Sequence, residues 1–237
     1  MGLWGQIRKR IEKQKVNDKG AAMVTMIVVV LFITILATTL LYISGMNFQI
    51  KQTEYRNQKS FYSGETSLEN IKARLMADSS KAAADAYSAV MSEYVTLGGG
   101  DARTWEYQQL FLQNLQDEWT VSTAGDWKSW LASFCTAGAT LEIPGRDTNG
   151  DGAYSNGEML ELHATEGYLI LKGLEVTYTN SDGYTSVIKT DFYIQAPTMN
   201  WNVETAETAP PADPLAAQEP KKIEAATYVQ YVNWQKQ

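Results

Sequence analysis

The sequence contains very few residues of the kinds that usually carry out catalysis. Its 237 residues include one cysteine, Cys135, and one histidine, His163. A single thiol cannot form a disulfide within the chain, and Cys135 is expected to be a small, buried, apolar residue. His163 is expected to have a surface or packing role, and no second histidine supports a nucleophile–base pair. No glycine-rich loop that could cradle a phosphate precedes a helix. The sequence therefore predicts a protein without enzymatic activity.

Positive charge is scarce after the first twenty residues. Residues 1–20 carry six basic and two acidic residues, a net charge of +4, whereas the remainder carries 14 basic and 25 acidic residues, a net charge of −11. Basic residues flanking a membrane span stay in the cytoplasm, so the acidic body is expected to be exported. An acidic body also argues against nucleic acid as the main ligand, because binding phosphates requires a positive surface.

Charged residues are absent from Ala21 to Met46, a run of 26 residues. About 20 apolar residues span a bilayer, so this run is long enough to cross one. Thirteen of its residues are Val, Ile, Leu or Phe, and together they favour insertion by roughly −4 to −8 kcal/mol. A secretory signal has an apolar core of about 7–15 residues followed by a small-residue cleavage site, and SGMNFQIKQ offers no such site. The run therefore indicates a membrane span that is retained after export.

The surroundings of this run resemble the prepilin leader. A basic peptide ends in DKG, and AAMVTMIVVVLFITILATTLLYISG follows directly. The next segment, with Phe61-Tyr62 and an acidic helix from Glu65 to Glu69, resembles PilX-like minor pilins, so the likeness covers residues 18–76. The resemblance implies that a prepilin peptidase cuts between Gly20 and Ala21 and methylates the new amino terminus. It also implies a pilin-like fold and assembly with other pilins at an inner-membrane platform.

Thr25 departs from the pattern of that family. Major pilins carry a glutamate at the fifth position of the mature chain, where it pairs with the amino terminus of a neighbouring subunit, and this sequence has Thr25 there. A carboxylate in lipid is costly unless it is paired, so its presence implies such a neighbour. Its absence fits a subunit at a filament tip. The alternative interpretation is that Thr25 belongs to an ordinary single-pass anchor, and the sequence leaves both open.

The rest of the chain predicts an α+β head. No proline interrupts residues 21–96, and Phe61, Leu68 and Leu75 form a stripe spaced by seven residues with Ile71 between them. This pattern predicts a long helix whose second half packs on the head. Residues 102–134 indicate one or two further helices, with Asp101 as an N-cap. The four tryptophans of this region are expected in the core rather than in a ligand-stacking platform; they are Trp105, Trp119, Trp127 and Trp130.

After Phe134 the hydrophobic period changes from 3.6 to 2, which predicts an antiparallel sheet. Two alternating runs flank SDG, which indicates a hairpin with Gly183 at the positive-φ position. The predicted divisions are a basic leader at 1–20, a membrane or filament-core helix at 21–46, a helical stalk at 47–97, an α+β head at 98–202, a flexible Pro/Ala-rich excursion at 203–225, and a C-terminal strand at 226–237.

The strongest local motif is DTNGDGAYSNGE, residues 147–158. Its spacing matches the calcium loop D-x-[DN]-x-[DN]-G-x₅-E, in which alternate residues turn oxygens inward and a distal glutamate closes the shell. Because the flanks are strand-like, a calcium loop clasped between two strands is expected. The same residue types also favour a solvated turn without a metal, and this alternative stays open. The predicted ligands are Asp147, Asn149, Asp151, the carbonyl of Ala153, Ser155 and Glu158.

These patterns together predict a minor pilin or pseudopilin that initiates or caps a type IV filament. The expected partners are other pilins, prepilin peptidase, the inner-membrane assembly platform and membrane lipid, and the expected cofactor is structural calcium. The amino terminus is expected in the cytoplasm and the head outside, finally at the cell surface. Two other interpretations remain: a single-pass surface protein whose exported domain binds a partner, and an anchored surface hydrolase.

Overall fold

A computed structural model describes residues 3–197, 199, 201 and 229–236, with side chains from Gly20 onward. The predicted excursion at 203–225 lies outside the described residues. The chain begins with one helix, α1, which runs from Leu3 to Ser92. The contacts between residues divide the chain into two units, Met1–Tyr55 and Arg56–Gln237. Helix α1 therefore contributes to both units, and the division falls within the predicted stalk at 47–97.

The first unit is the N-terminal part of α1. It contains a window with a mean hydropathy of 2.7, of which 0% is buried inside the structure, and the helix is long and apolar enough to cross a membrane. Thr25 and Thr34 donate to the carbonyls of Ala21 and Val30 at 2.9 and 2.8 Å. These bonds satisfy the hydroxyl groups within the helix, so the threonines are compatible with lipid.

In the described part of the second unit there are three shorter helices: α2 from Gly100 to Thr123, α3 from Trp127 to Ala132, and α4 from Asn156 to Met159. The prediction of Asp101 as an N-cap was wrong. Gly99 occupies that position with extended backbone, and Asp101 lies inside the first turn. There its carboxylate lies near the positive end of the helix dipole, which is favourable without a capping bond.

Among the described residues, five antiparallel strands form one sheet: β1 at Ala139–Glu142, β2 at Leu160–His163, β3 at Tyr168–Thr179, β4 at Thr185–Gln195 and β5 at Val229–Lys236. The strand order is β1-β3-β4-β5, and β2 also pairs with β3. Strands β1 and β2 pair with opposite ends of β3. The chain therefore leaves one edge of the sheet after β1 and returns to the same edge at β2. The predicted α+β layout, with a long apolar N-terminal helix, further helices and an antiparallel sheet, is confirmed.

The predicted hairpin joins β3 to β4. Gly183 has φ +82°, as the turn requires. The side-chain oxygen of Asn180 accepts hydrogen bonds from the backbone N–H groups of Asp182 and Tyr184, both at 2.9 Å. The polar turn residues therefore stabilise the turn directly.

The core lies between α1, α2 and the inner face of the sheet. Leu68, Ile71 and Leu75 are fully buried, as the seven-residue stripe predicted, while Phe61 is partly buried against the same cluster. One turn earlier, α1 presents Gly64, where an added Cβ would lie 3.2 Å from the Cδ1 atom of Ile188. The absence of a side chain at Gly64 lets the helix approach β4 closely.

The tryptophan prediction was right for three residues and wrong for one. Trp119 and Trp127 are fully buried and meet edge to face with ring centroids 5.1 Å apart. Trp130 packs partly buried against them. Trp105 is 57% exposed. It precedes the buried Tyr107 on α2 by two residues, and residues two apart on a helix do not share a face.

Candidate functional site

The predicted processing residues lie in the first unit. Gly20, Ala21 and Thr25 are exposed and lie within α1. The Thr25 hydroxyl donates to the Ala21 carbonyl, so this side chain brings neither a charge nor an unpaired hydroxyl into the apolar segment. A carboxylate at the same position would require a partner outside its own helix. The structure therefore places these three residues within two turns of one exposed, apolar helix.

The predicted calcium ligands lie in the segment that leaves the sheet after β1 and returns at β2. The two carboxylate oxygens of Asp147 accept the N–H groups of Gly150 at 2.6 Å and Gly152 at 3.0 Å. Gly150 and Gly152 have φ values of +75° and +77°. Glycine adopts these values without strain, and the resulting bends turn the backbone N–H groups toward Asp147.

Asn149 and Asp151 continue the same pattern. The Asn149 side-chain oxygen accepts the Asp151 N–H at 3.0 Å, and the Asp151 carboxylate accepts the Ala153 N–H at 2.8 Å. The Asn149 amide also donates to the second Asp151 oxygen at 2.9 Å. The N-terminal half of the loop is thus ordered by side chains that bind backbone groups two to five residues ahead.

Glu158 closes the C-terminal half. One of its oxygens accepts from the backbone and hydroxyl of Ser155, both at 2.9 Å, and the other accepts from the backbone and hydroxyl of Thr148 at 3.0 and 2.9 Å. Hydrogen bonds from the Ser155 and Thr148 backbones lower the pKa of the Glu158 carboxyl to about 2, with further lowering by the two hydroxyl groups. The four donors favour the charged form, because only the carboxylate accepts at all four positions.

Ser155 and Glu158 also form a capping box at the start of α4. In this arrangement the serine side chain binds a backbone N–H inside the helix and the glutamate binds the N-cap backbone. The expectation of a loop flanked only by strands was therefore incomplete, since the last three residues of the loop belong to the short helix α4, which leads into β2. The signal was present in the sequence as S-x-x-E before the apolar pair Met159-Leu160. Thr148 was not among the predicted site residues.

The donor set fits an oxygen-preferring cation only in part. Each oxygen of Asp147 and Asp151 accepts one hydrogen bond and keeps a second lone pair for a cation. Glu158 uses all four of its acceptor positions within the loop. Among the described residues, no group of three or more His, Cys, Asp or Glu side chains is arranged to hold a metal ion. Ligation by Glu158 would require it to leave Ser155 or Thr148.

The single histidine and the single cysteine lie in packed surroundings. The His163 ring stacks on Tyr168 with centroids 4.4 Å apart, and its Nε2 atom lies 2.9 Å from Glu161. Cys135 is half-buried, and burial raises the pKa of its thiol. A raised pKa disfavours the nucleophilic thiolate form. Both positions agree with the packing roles expected from the sequence.

No family model matches the chain, and neither a curated protein nor a solved structure shows significant similarity to it.

Proposed function

We propose that this protein is a minor pilin or pseudopilin, a structural subunit of a type IV filament or a related secretion system. One observation carries the proposal. A single helix, α1, supplies both an apolar segment long enough to cross a membrane and the buried stripe at the core of the head. An ordinary surface anchor needs only a span, and its exported domain can fold without it. A helix shared by span and core suits a subunit that leaves the membrane together with its head.

The amino-terminal residues supply the second line of support. Gly20 follows a basic leader and precedes the apolar segment, as the cleavage site of a prepilin does. In this proposal prepilin peptidase removes residues 1–20 and methylates Ala21. The subunit then joins other pilins through the inner-membrane assembly platform. The leader starts in the cytoplasm, and the head lies outside and is carried to the cell surface.

Thr25 supports a position at the end of the filament. A glutamate at this position would need the amino terminus of a neighbour, whereas the Thr25 hydroxyl is satisfied by its own helix at 2.9 Å. A subunit that initiates or caps the filament has no neighbour on one side. A side chain whose hydroxyl is hydrogen-bonded within its own helix therefore costs less free energy in lipid there than an unpaired carboxylate. Calcium bound by the 147–158 loop would stabilise the exported head, which has no disulfide.

The intact mass of the protein purified from membranes tests the proposal. We expect loss of residues 1–20 and one added methyl group on Ala21. Gly20→Leu should retain the leader, because the bulky side chain blocks the peptidase, and this variant is the matched control. An unprocessed leader in the wild-type protein, in cells with an active prepilin peptidase, would contradict the proposal. That result would favour the alternative, a single-pass surface protein whose exported domain binds a partner.

A further inference from the structure

The uncharged part of α1 is longer than the hydrocarbon core of a membrane. No charged side chain occurs from Ala21 to Ile50, and Lys51 is the first. At 1.5 Å per residue this stretch is about 45 Å long. A bilayer core is about 30 Å thick, and about 40–45 Å with both headgroup layers. The uncharged stretch therefore matches the whole bilayer, including the headgroup regions.

Large apolar side chains continue along α1 beyond the length that the hydrocarbon core covers, and they are exposed. Phe48 is 68% exposed, Ile50 59% and Tyr55 67%. All three lie in the first unit, on the same helix as the apolar segment. Exposed aromatic residues on a helix that leaves a membrane are typical of the interface, where the ring lies at headgroup level.

The spacing of these residues selects one face of the helix. Leu41, Phe48 and Tyr55 follow one another at intervals of seven residues, and Gln52 lies between the last two on the same side. Residues seven apart on an α-helix differ by about 20° around the axis, so the three apolar side chains share a face. Thr53 lies on the opposite side of the helix at nearly the same height, since two residues from Tyr55 correspond to about 200°.

We propose that the Leu41–Phe48–Tyr55 face is a membrane-interface surface that contacts the headgroup layer on the outer side of the bilayer. The occupant is phospholipid, because the face is continuous with the span and its side chains stay exposed beyond the length that the hydrocarbon core covers. A tilt of the helix brings Tyr55 down to this layer, and tilt is the usual response of a stretch that is longer than the hydrocarbon core. Lys51 extends its amino group to the phosphates from the flank. This inference rests on the proposed membrane insertion, and it holds equally for a pilin precursor and for a permanent anchor.

Spin-label accessibility on the full-length protein tests the inference. In a Cys135→Ala background, single cysteines replace Val30, Gln52 or Thr53, each carries a nitroxide, and the protein is reconstituted in phosphatidylcholine vesicles. Collision with oxygen reports lipid contact and collision with a water-soluble nickel chelate reports water contact. We expect Val30 to be deep in lipid, Gln52 to have a higher oxygen-to-nickel ratio than Thr53, and the double variant Phe48→Ser/Tyr55→Ser to abolish that difference.

Each other outcome overturns the inference in a distinguishable way. Equal nickel access at Gln52 and Thr53, with Val30 deep, means that the helix leaves the membrane without contacting the interface, while the span itself stands. Protection of Gln52 from both reagents means that a second copy or another protein covers the face. Water access at Val30 means that the helix does not insert, and the proposed function then fails as well.

Discussion

Protonation of Glu158 is expected to destabilise the protein at acidic pH. Its carboxylate accepts four hydrogen bonds from Ser155 and Thr148, which lower its pKa to about 2. Because the folded-state pKa lies below the usual glutamate value, the stabilisation is fully present above pH 5. It declines as the pH falls from about 4.5 toward 2. The loop and the start of α4 lose their shared acceptor over this range.

We expect the melting temperature of the wild-type protein to fall more steeply between pH 5 and pH 2 than that of Glu158→Gln. The amide keeps the shape of the side chain but does not titrate, so its profile should be flatter in this window. Glu142→Gln serves as the control, because that carboxylate pairs with Lys128 on the exposed surface. Parallel wild-type and Glu158→Gln profiles would show that the hydrogen bonds to Glu158 contribute nothing to stability.

Asp147 and Asp151 determine whether the loop binds calcium. If the dissociation constant is about 0.1 mM, as in many extracellular sites, 1 mM calcium should stabilise the wild-type protein by about 1.4 kcal/mol. Asp147→Ala with Asp151→Ala should abolish the rise in melting temperature that calcium causes. Magnesium at the same concentration is the ionic-strength control. If calcium does not raise the melting temperature of the wild-type protein, the loop is a turn held by its own side chains.

The loop also shows which part of the site the sequence could predict. The spacing of Asp147, Asn149 and Asp151 predicted either calcium ligands or a polar turn, and in the structure these side chains accept backbone N–H groups of the loop. The spacing alone does not show whether these side chains bind a metal ion or backbone N–H groups, because Asp and Asn oxygens accept N–H groups as readily as they ligate cations. Glu158 belongs to two overlapping patterns, the last position of a calcium loop and the last position of a capping box. Only the position of Ser155 relative to α4 distinguishes them.

At the scale of elements, α1 and β4 lie close together at Gly64. A Cβ atom there would lie 3.2 Å from Ile188, so a larger side chain forces the helix and the strand apart. We expect Gly64→Leu to lower the free energy of unfolding by about 1–3 kcal/mol, the usual effect of overpacking. Chemical denaturation followed by the fluorescence of the buried tryptophans measures the change.

Gly45→Leu is the matched control for Gly64→Leu. Gly45 lies on the same helix, and an added Cβ there meets nothing within 4 Å. Replacing glycine by leucine within a helix is favourable by up to about 1 kcal/mol. The stability of the head should therefore be unchanged or slightly raised. Equal destabilisation by the two substitutions would mean that helix–strand packing at Gly64 is not the cause.

Some helices and strands could be predicted from their local sequence, and others could not. Helix α1 was predictable through its packed half because the seven-residue stripe of Leu68 and Leu75 and the absence of proline both favour a helix. The β3–β4 hairpin was predictable because Gly183 supplies the required backbone conformation. The pairing of β1 and β2 with the two ends of β3 was not, since strand partners are chosen by contacts across the whole sheet. The exposure of Trp105 depends likewise on which face of α2 meets α1.

At the scale of the whole molecule, charge asymmetry predicts how the protein is oriented in the membrane. Residues 1–20 carry +4 and the remainder −11, so the head should be exported. In a Cys135→Ala background, Ser181→Cys, in the exposed turn before β4, should react with a membrane-impermeant thiol reagent without permeabilisation of the cytoplasmic membrane. Gln14→Cys should react only after permeabilisation, in cells that lack prepilin peptidase and so keep the leader. The reverse labelling pattern would place the head in the cytoplasm.

The edge of the sheet beside β3 is divided between β1 and β2, and this limits pairing with other chains. A long, straight edge strand is a template on which a strand of another chain can add, and this leads to aggregation. Here the edge consists of Ala139–Glu142 and Leu160–His163, each of four residues, and the 147–158 loop and α4 lie between them along the chain. Neither piece offers the five or six residues of a typical strand for pairing. The interruption by the loop therefore leaves this edge of the sheet without a strand long enough to act as a template, whether or not the loop binds a metal.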